Sequence, residues 1–91
     1  MSTRRTKIEI IHDILWAIQE KGGKIKPTHL LYKSNLSYKK MLEYLGELIS
    51  KGMVGESMFK EKKVYMITDK GLHYVQEFKK IKEFYIESGI V

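Results

Sequence analysis

Basic side chains dominate one continuous stretch of this sequence. Residues 21–40 hold six lysines and no acidic residue, so this stretch alone equals the net charge of the whole chain, +6. The six are Lys21, Lys24, Lys26, Lys33, Lys39 and Lys40. A dense block of one charge sign attracts polyanions. The block therefore indicates a polyanionic partner, and the alternative is an ordinary solvated lysine face.

Two smaller basic groups lie outside this block. The first opens the chain and consists of Arg4, Arg5 and Lys7. The second, Lys60, Lys62 and Lys63, falls between two short extended segments. Because they flank the main block in sequence, both groups are candidates for further contacts with the same polyanion.

The residues that could carry catalysis or hold a metal are scattered. The three histidines, His12, His29 and His73, lie far apart in the sequence. His73 with Glu77 at one-turn spacing supplies only two of the roughly four ligands that a structural metal site needs. The sequence has no cysteine, no glycine-rich phosphate loop and no nucleophile elbow. We therefore expect no enzymatic activity, no metal, no cofactor and no small-molecule substrate.

The composition is that of one small globular domain. The 91 residues are 43% hydrophobic and 31% charged, outside the range of disordered chains. No apolar run approaches the roughly 18 residues that span a bilayer, so we expect a cytoplasmic protein without membrane contact. Few thermolabile amides stand against many lysines and glutamates, a bias typical of thermophiles.

Hydrophobic periodicity and capping residues predict the order of elements. The elements are helices at residues 6–21 and 27–33 with a two-residue strand at 24–25 between them, a third helix capped by Ser37 and ended by Gly52, strands at 53–57 and 63–67, and a last helix from Thr68 to about Ser88. Thr6 and Glu9 fit a capping box. Residues 60–62 form the loop between the strands.

The third helix has a clear division between an apolar and a polar side. Its predicted core stripe is Met41, Leu42, Leu45, Leu48 and Ile49, and the residues left outside include Tyr38, Lys39, Lys40, Glu43 and Glu47. In the following hairpin, Tyr65 and Ile67 share one face while Val64 and Met66 share the other. We expect only one of these two faces to be fully buried.

The last helix has more apolar residues than a small domain can cover. Leu72 and Val75 can face the body, whereas the spacing of four, three and four residues makes a heptad seam of Tyr74, Phe78, Ile81 and Tyr85. A contiguous apolar strip marks an interaction surface. We therefore expect a homodimer through this helix, and the alternative is that the helix buries the strip in its own body.

This order of elements is a mainly α (α+β) winged helix-turn-helix with a long C-terminal helix. Three segments, LYKSNLSYK at 31–39, LISKGMV at 48–54 and YMITDKG at 65–71, resemble the small basic winged-helix proteins of archaea, most nearly the 10a chromatin proteins. The resemblance implies an antiparallel coiled-coil dimer and DNA binding through the third helix and the wing. It also implies a winged-helix domain at 1–68 and a dimerisation helix at 69–91, within one structural unit.

The expected partner is double-stranded DNA in the nucleoid of a thermophilic archaeon. The candidate DNA-binding residues are Lys24, Lys26, Lys33, Ser37, Tyr38, Lys39 and Lys40 around the turn, Arg4, Arg5 and Lys7 in the arm, and Lys60, Lys62 and Lys63 in the wing. The third helix has no Arg, Asn or Gln, the side chains that read guanine or adenine bidentately. This favours an architectural protein of low sequence specificity over a transcriptional repressor, and over an adaptor that binds another protein.

Overall fold

The chain alternates helices with three short strands. The computed structural model describes residues 5–88. Its elements are α1 (Lys7–Glu20), β1 (Lys24–Ile25), α2 (Pro27–Ser34), α3 (Tyr38–Ser50), β2 (Val54–Phe59), β3 (Lys62–Ile67) and α4 (Asp69–Ser88). Their order and type agree with the sequence analysis, and the predicted mainly helical winged helix-turn-helix is confirmed. Arg4 lies outside the described residues, as does the side chain of Tyr85, whose backbone belongs to α4.

Local side-chain chemistry sets the helix boundaries. Thr6 and Glu9 form the predicted capping box, each side chain bonding the backbone of the other residue. The Ser37 hydroxyl accepts a hydrogen bond from the Lys40 amide at 3.1 Å and opens α3. The break predicted at residues 34–36 is one residue too long, because Ser34 still belongs to α2. Asn35 follows in the left-handed conformation, at φ 55°, and ends the helix there.

The sheet places β3 in the middle, in the order β1-β3-β2, with both pairings antiparallel. The β1 strand contributes two pairs, Lys24 with Met66 and Ile25 with Tyr65. Val64 and Tyr65 are both buried, so the expectation of a single fully buried face is wrong. Each face of β3 holds one buried side chain, and the next residues along, Met66 and Ile67, are half-buried. Tyr65 packs in the core, and Val64 lines a cleft on the side of β1.

The hairpin is longer and its turn tighter than expected. Phe59 pairs directly with Lys62, which leaves Lys60 and Glu61 as a two-residue turn. Both turn residues have positive φ, 51° and 65°, as the favoured two-residue hairpin turns of type I′ require. The assignment of Lys62 to the loop is wrong, because this residue lies in β3.

The core lies between the three N-terminal helices and the sheet. Its fully buried side chains include Ile14, Leu15, Ile18, Ile25, Leu30, Met41, Leu45 and Leu48. The assignment of Leu42 to this core is wrong, because its side chain is 40% exposed. Leu42 follows Met41 by one residue and therefore points about 100° further round the helix, away from the sheet.

The beginning of α4 is fixed to the beginning of the wing. Thr68 donates a hydrogen bond to the Gly52 carbonyl at 2.6 Å and accepts one from the Gly71 amide at 3.2 Å. A Cβ atom at Gly71 would overlap the Met53 carbonyl oxygen and stand 2.8 Å from Cγ1 of Ile67. A glycine at position 71 therefore allows the first turn of α4 to lie this close to Met53 and Ile67.

Further along, α4 packs against α1. Val75 is buried, and the rings of His12 and Phe78 stack with their centroids 4.4 Å apart. Tyr74 is partly buried against the same core. The expectation that Tyr74 and Phe78 lie exposed unless a second chain covers them is therefore wrong. Ile81, in the same seam, is 56% exposed.

Candidate nucleic-acid interface

The first residues of α3 present polar groups to solvent. The Ser37 cap positions Tyr38, Lys39 and Lys40 in the first turn, and all three side chains are exposed. No acidic residue lies in this turn, so its amides and ammonium groups make this end of the helix electropositive. In helix-turn-helix proteins, the corresponding end of the second helix meets the base edges.

One predicted lysine of the wing is held in an ion pair. The Lys63 ammonium is 2.9 Å from Glu56 on the neighbouring strand. That hydrogen bond raises the pKa of Lys63 above its usual value, and the hydroxyls of Tyr65 and Tyr38 add smaller contributions. Burial raises the pKa of Tyr65, and Tyr38 again contributes.

The predicted lysines of β1 and α2 gather at a second location. Lys24 and Lys26 line one cleft, and Lys33 lines the adjoining one. Lys21 and His29 border both clefts. By element, the predicted site comprises one group on α3 and the wing and another on β1 and α2. Phe59 and Val64 of the hairpin line the same cleft as Lys24 and Lys26.

Ion pairing separates the predicted basic residues into two classes. Between residues 5 and 88, ion pairs involve none of six predicted lysines, namely Lys24, Lys26, Lys33, Lys39, Lys60 and Lys62. Lys40 stands 3.5 Å from Glu43 in an exposed pair, and Lys63 pairs with Glu56. Exposed pairs contribute little, so Lys40 can exchange its partner for a phosphate more readily than the arm residues can.

Two residues of the arm, Arg5 and Lys7, are tied to the body of the protein. Arg5 donates to the Asp13 carboxylate at 2.7 Å and to the buried Ser34 carbonyl at 2.9 Å. Lys7 lies 2.9 Å from Glu47, and this ion pair holds the pKa of Glu47 below its usual range. Lys51 reaches the same carboxylate from 3.6 Å. Arg5 and Lys7 therefore fix the start of α1 to α2 and α3, and neither is a free cation.

Several exposed apolar side chains near the basic groups were missed at the sequence level. Met58 is 65% exposed and Phe59 51% exposed, next to the turn of the wing. The Lys60 ammonium lies 5.4 Å from the centre of the Phe59 ring. The sequence could have indicated this exposure. Side chains of a hairpin that projects beyond the core have nothing to pack against, on either face of the strand.

Within the described part of the chain, no three histidine or acidic side chains converge on a possible metal site. No helix in residues 5–88 combines the length and apolar character needed to cross a membrane.

Comparison with known proteins places these features in context. A family model described as winged helix-turn-helix matches residues 4–85. The uncharacterized protein MJ0290 of Methanocaldococcus jannaschii is 37% identical over 70 residues, which make up 77% of this chain. The chain spans only 30% of that relative's length.

Solved structures that match nearly the whole chain include Sso10a-2 and SSV1 F-93. Sso10a-2, a DNA-binding protein from Sulfolobus solfataricus, matches with a TM-score of 0.73 at 28% identity, over 93% of this chain and 90% of that one. SSV1 F-93 matches with a TM-score of 0.68 at 23% identity, over 96% and 98% of the two chains, and shows a common fold. The match to Sso10a-2 confirms the resemblance to the archaeal 10a proteins.

Proposed function

This chain belongs to the winged helix-turn-helix family, and from that premise we propose that it binds double-stranded DNA with low sequence specificity, as an architectural protein. The observation that carries the proposal is the set of predicted lysines with no ion-pair partner in the described residues, above all Lys39 at the start of α3. Ammonium groups without a carboxylate partner release counterions when they meet phosphates, and this release drives binding to any duplex.

The proposed contacts follow from the two basic groups. Ser37, Tyr38, Lys39 and Lys40 meet the duplex together with the wing residues Lys60, Lys62 and Lys63, and Lys24, Lys26 and Lys33 extend the phosphate contacts. Low specificity is supported by the composition of α3, because Lys39 and Lys40 are its only basic residues and neither has the guanidinium fork that pairs bidentately with guanine.

Titration of one operator-like and one random duplex at several salt concentrations tests this function. We expect Lys39→Ala to weaken binding to both by a similar factor and to lower the log-log salt slope by about 1 unit. Lys80→Ala is the matched control, because Lys80 is also exposed and makes no ion pair within residues 5–88. An unchanged slope in the Lys39 variant contradicts a phosphate contact at this position.

A sequence-reading repressor is the second candidate, and the outer face of α3 favours it. Leu42 and Glu43 are both exposed there. An aliphatic side chain can contact the thymine methyl group, and a carboxylate can accept from the cytosine amino group. Selection from a random duplex library separates the two functions. Recovery of one long, strongly preferred palindrome supports the repressor, and weak preferences of less than about a thousandfold support the architectural protein.

We also propose that two copies associate through the C-terminal segment, residues 69–91, as an antiparallel coiled coil. The support is the exposure of Ile81 in α4 and of Ile8 and Trp16 in the adjacent α1. Large apolar side chains grouped on one side of a small protein mark an interface, and a second copy would cover them symmetrically.

Sedimentation equilibrium tests the dimer. We expect Ile81→Glu to shift the mass toward the 10.7 kDa of one chain while the fold is retained, because Ile81 lies largely outside the body. Gln76→Glu is the control, since helical spacing places Gln76 on the side of α4 away from the seam. Phe78 is unsuited to the test because it stacks on His12 of its own chain. A wild-type mass of one chain at micromolar concentration contradicts the dimer.

A further inference from the structure

A cleft of about 470 Å³ opens between the end of α1, the β1–α2 junction and the wing. Its apolar lining comes from Ile25 and Val64, which are buried, and from the half-exposed ring of Phe59. Its basic lining consists of Lys21, Lys24, Lys26 and His29. The cleft thus combines a flat hydrophobic wall with several cationic groups.

The sheet explains why this space is open. β1 ends at Ile25 because Pro27 begins α2, so β1 pairs only with Tyr65 and Met66 of β3. The outer part of β3, from Lys62 to Val64, continues beyond β1 without a strand on that side. The shortness of β1 leaves a recess at this edge of the sheet.

The charges around the recess are uncompensated. No carboxylate lines the cleft, and across residues 5–88 the ion pairs include none of its four basic side chains. Glu20 lines the adjoining cleft, which Lys21 and His29 also border. Like charges held together without a counterion favour a multiply charged anion.

We propose that this cleft binds a nucleoside monophosphate, with its phosphate among the lysines and its base against Phe59. The phosphate monoester carries nearly two negative charges near neutral pH, which matches several ammonium groups. A half-exposed aromatic ring offers a stacking platform for any base. The volume lies within the range of small-ligand sites, about 300 to 1,000 Å³. This site shares Lys24 and Lys26 with the proposed duplex contacts, but its ligand is a nucleotide and its aromatic wall is Phe59.

The same chemistry has two sources, a free nucleotide and the phosphorylated 5′ end of a DNA strand. Adenosine 5′-monophosphate represents the first. A short single strand carrying a 5′ phosphate, compared with the same strand lacking it, represents the second. Tighter binding of the free nucleotide assigns the site to a metabolite, and tighter binding of the phosphorylated strand assigns it to a DNA end.

Titration of the isotope-labelled full chain by nuclear magnetic resonance tests the proposal. We expect adenosine 5′-monophosphate to shift the amides of Gly22, Ile25, His29 and Val64 at saturation. Adenosine alone and inorganic phosphate alone bind at least about tenfold more weakly, because each lacks one half of the interaction. Equal affinity for the nucleotide and for inorganic phosphate overturns the proposal, because it leaves the aromatic wall without a role.

Paired variants separate the two parts of the site. Phe59→Ala weakens nucleotide binding by roughly tenfold and leaves phosphate binding unchanged, whereas Met58→Ala, on the opposite face of the hairpin, leaves both unchanged. Lys24→Ala weakens the binding of nucleotide and phosphate, and Lys80→Ala affects neither. Equal losses in the two hairpin variants, or in the two lysine variants, contradict the site. The test contains no duplex, so its failure leaves the proposed duplex binding unaffected.

Discussion

At the scale of single residues, two glycines occupy helices for different reasons. Gly71 is buried where α4 meets the wing, and a Cβ there would collide with the Met53 carbonyl. Gly46 lies in the middle of α3 and is exposed, with no atom within 4 Å of an added Cβ. Neither has a positive φ, so conformational freedom is not what requires glycine at either position.

The same substitution should therefore have opposite effects at these two positions. We expect Gly71→Ala to destabilise the protein by about 1 to 3 kcal/mol, because the backbone must move to admit the methyl group. Gly46→Ala should stabilise it by up to about 1 kcal/mol, the difference in helix propensity between the two residues. Urea unfolding of both variants measures the two changes. Destabilisation by the Gly46 substitution would show that α3 needs a glycine there in the free protein.

The ion pair of Glu47 makes a second prediction at this scale. Because Lys7 lowers the pKa of Glu47 below the ordinary 4.5, folding favours its charged form. This contribution to stability is present above the ordinary pKa and is lost as the pH falls through the lowered one. We expect the melting temperature of the wild type to fall more steeply between about pH 5 and pH 3 than that of Glu47→Gln. Parallel pH profiles would contradict this role of the pair.

Which residues form these contacts was only partly predictable. Thr6, Glu9 and Ser37 act on backbone three residues away, so their roles are evident in the sequence. Arg5 reaches the Ser34 carbonyl across 29 positions, a contact that exists only after α1 and α2 have packed together. Charge alone therefore suggests DNA contacts for the arm, whereas the fold gives Arg5 and Lys7 internal partners.

At the scale of elements, the wing turn shows why boundaries were missed. Tight two-residue turns are recognised by Asn or Gly at positions of positive φ, and this chain has Lys60 and Glu61 there. Strain of this kind costs of order 1 kcal/mol per residue for side chains other than Gly, Asn and Asp. The run of charged residues at 60–62 is consequently typical of a longer loop. For this reason both predicted strands are too short.

Replacing the turn with Asn-Gly tests this explanation. We expect the double variant Lys60→Asn, Glu61→Gly to be more stable by about 1 to 2 kcal/mol, because both residues accept positive φ with little strain. Thermal unfolding and the cross-strand contacts of Phe59 with Lys62 provide the measurement. A loss of stability in a variant that keeps those contacts would mean that the native side chains stabilise the turn.

The last helix illustrates a different limit of sequence analysis. The heptad spacing of Tyr74, Phe78 and Ile81 describes one stripe, but a stripe cannot reveal which neighbour covers each residue. In the structure Tyr74 and Phe78 pack against the body of the same chain, and Ile81 stays exposed. The first half of α4 therefore packs against its own chain, and Ile81 further along leaves apolar surface exposed.

At the scale of the whole molecule, the proposed dimer should control DNA affinity. Two copies on one duplex raise the effective concentration of each other's lysines. We expect Ile81→Glu to weaken duplex binding more than tenfold and to reduce the salt slope, although it removes no lysine. Titration of the same duplex with wild type, Ile81→Glu and Gln76→Glu measures the coupling. If a monomeric Ile81 variant bound the duplex as tightly as the wild type, dimer formation would not control DNA affinity.

The two-residue strand β1 also has a consequence for the order in which the chain folds. Its partner Tyr65 lies 40 positions further along, so Lys24 and Ile25 cannot pair until β3 exists. The hairpin of β2 and β3 closes over a two-residue turn and can form early, whereas closing the larger loop costs more chain entropy. We therefore expect β1 to dock late, after the rate-limiting step. Substitutions that reduce the packing of the Ile25 side chain should then accelerate unfolding while leaving the folding rate nearly unchanged.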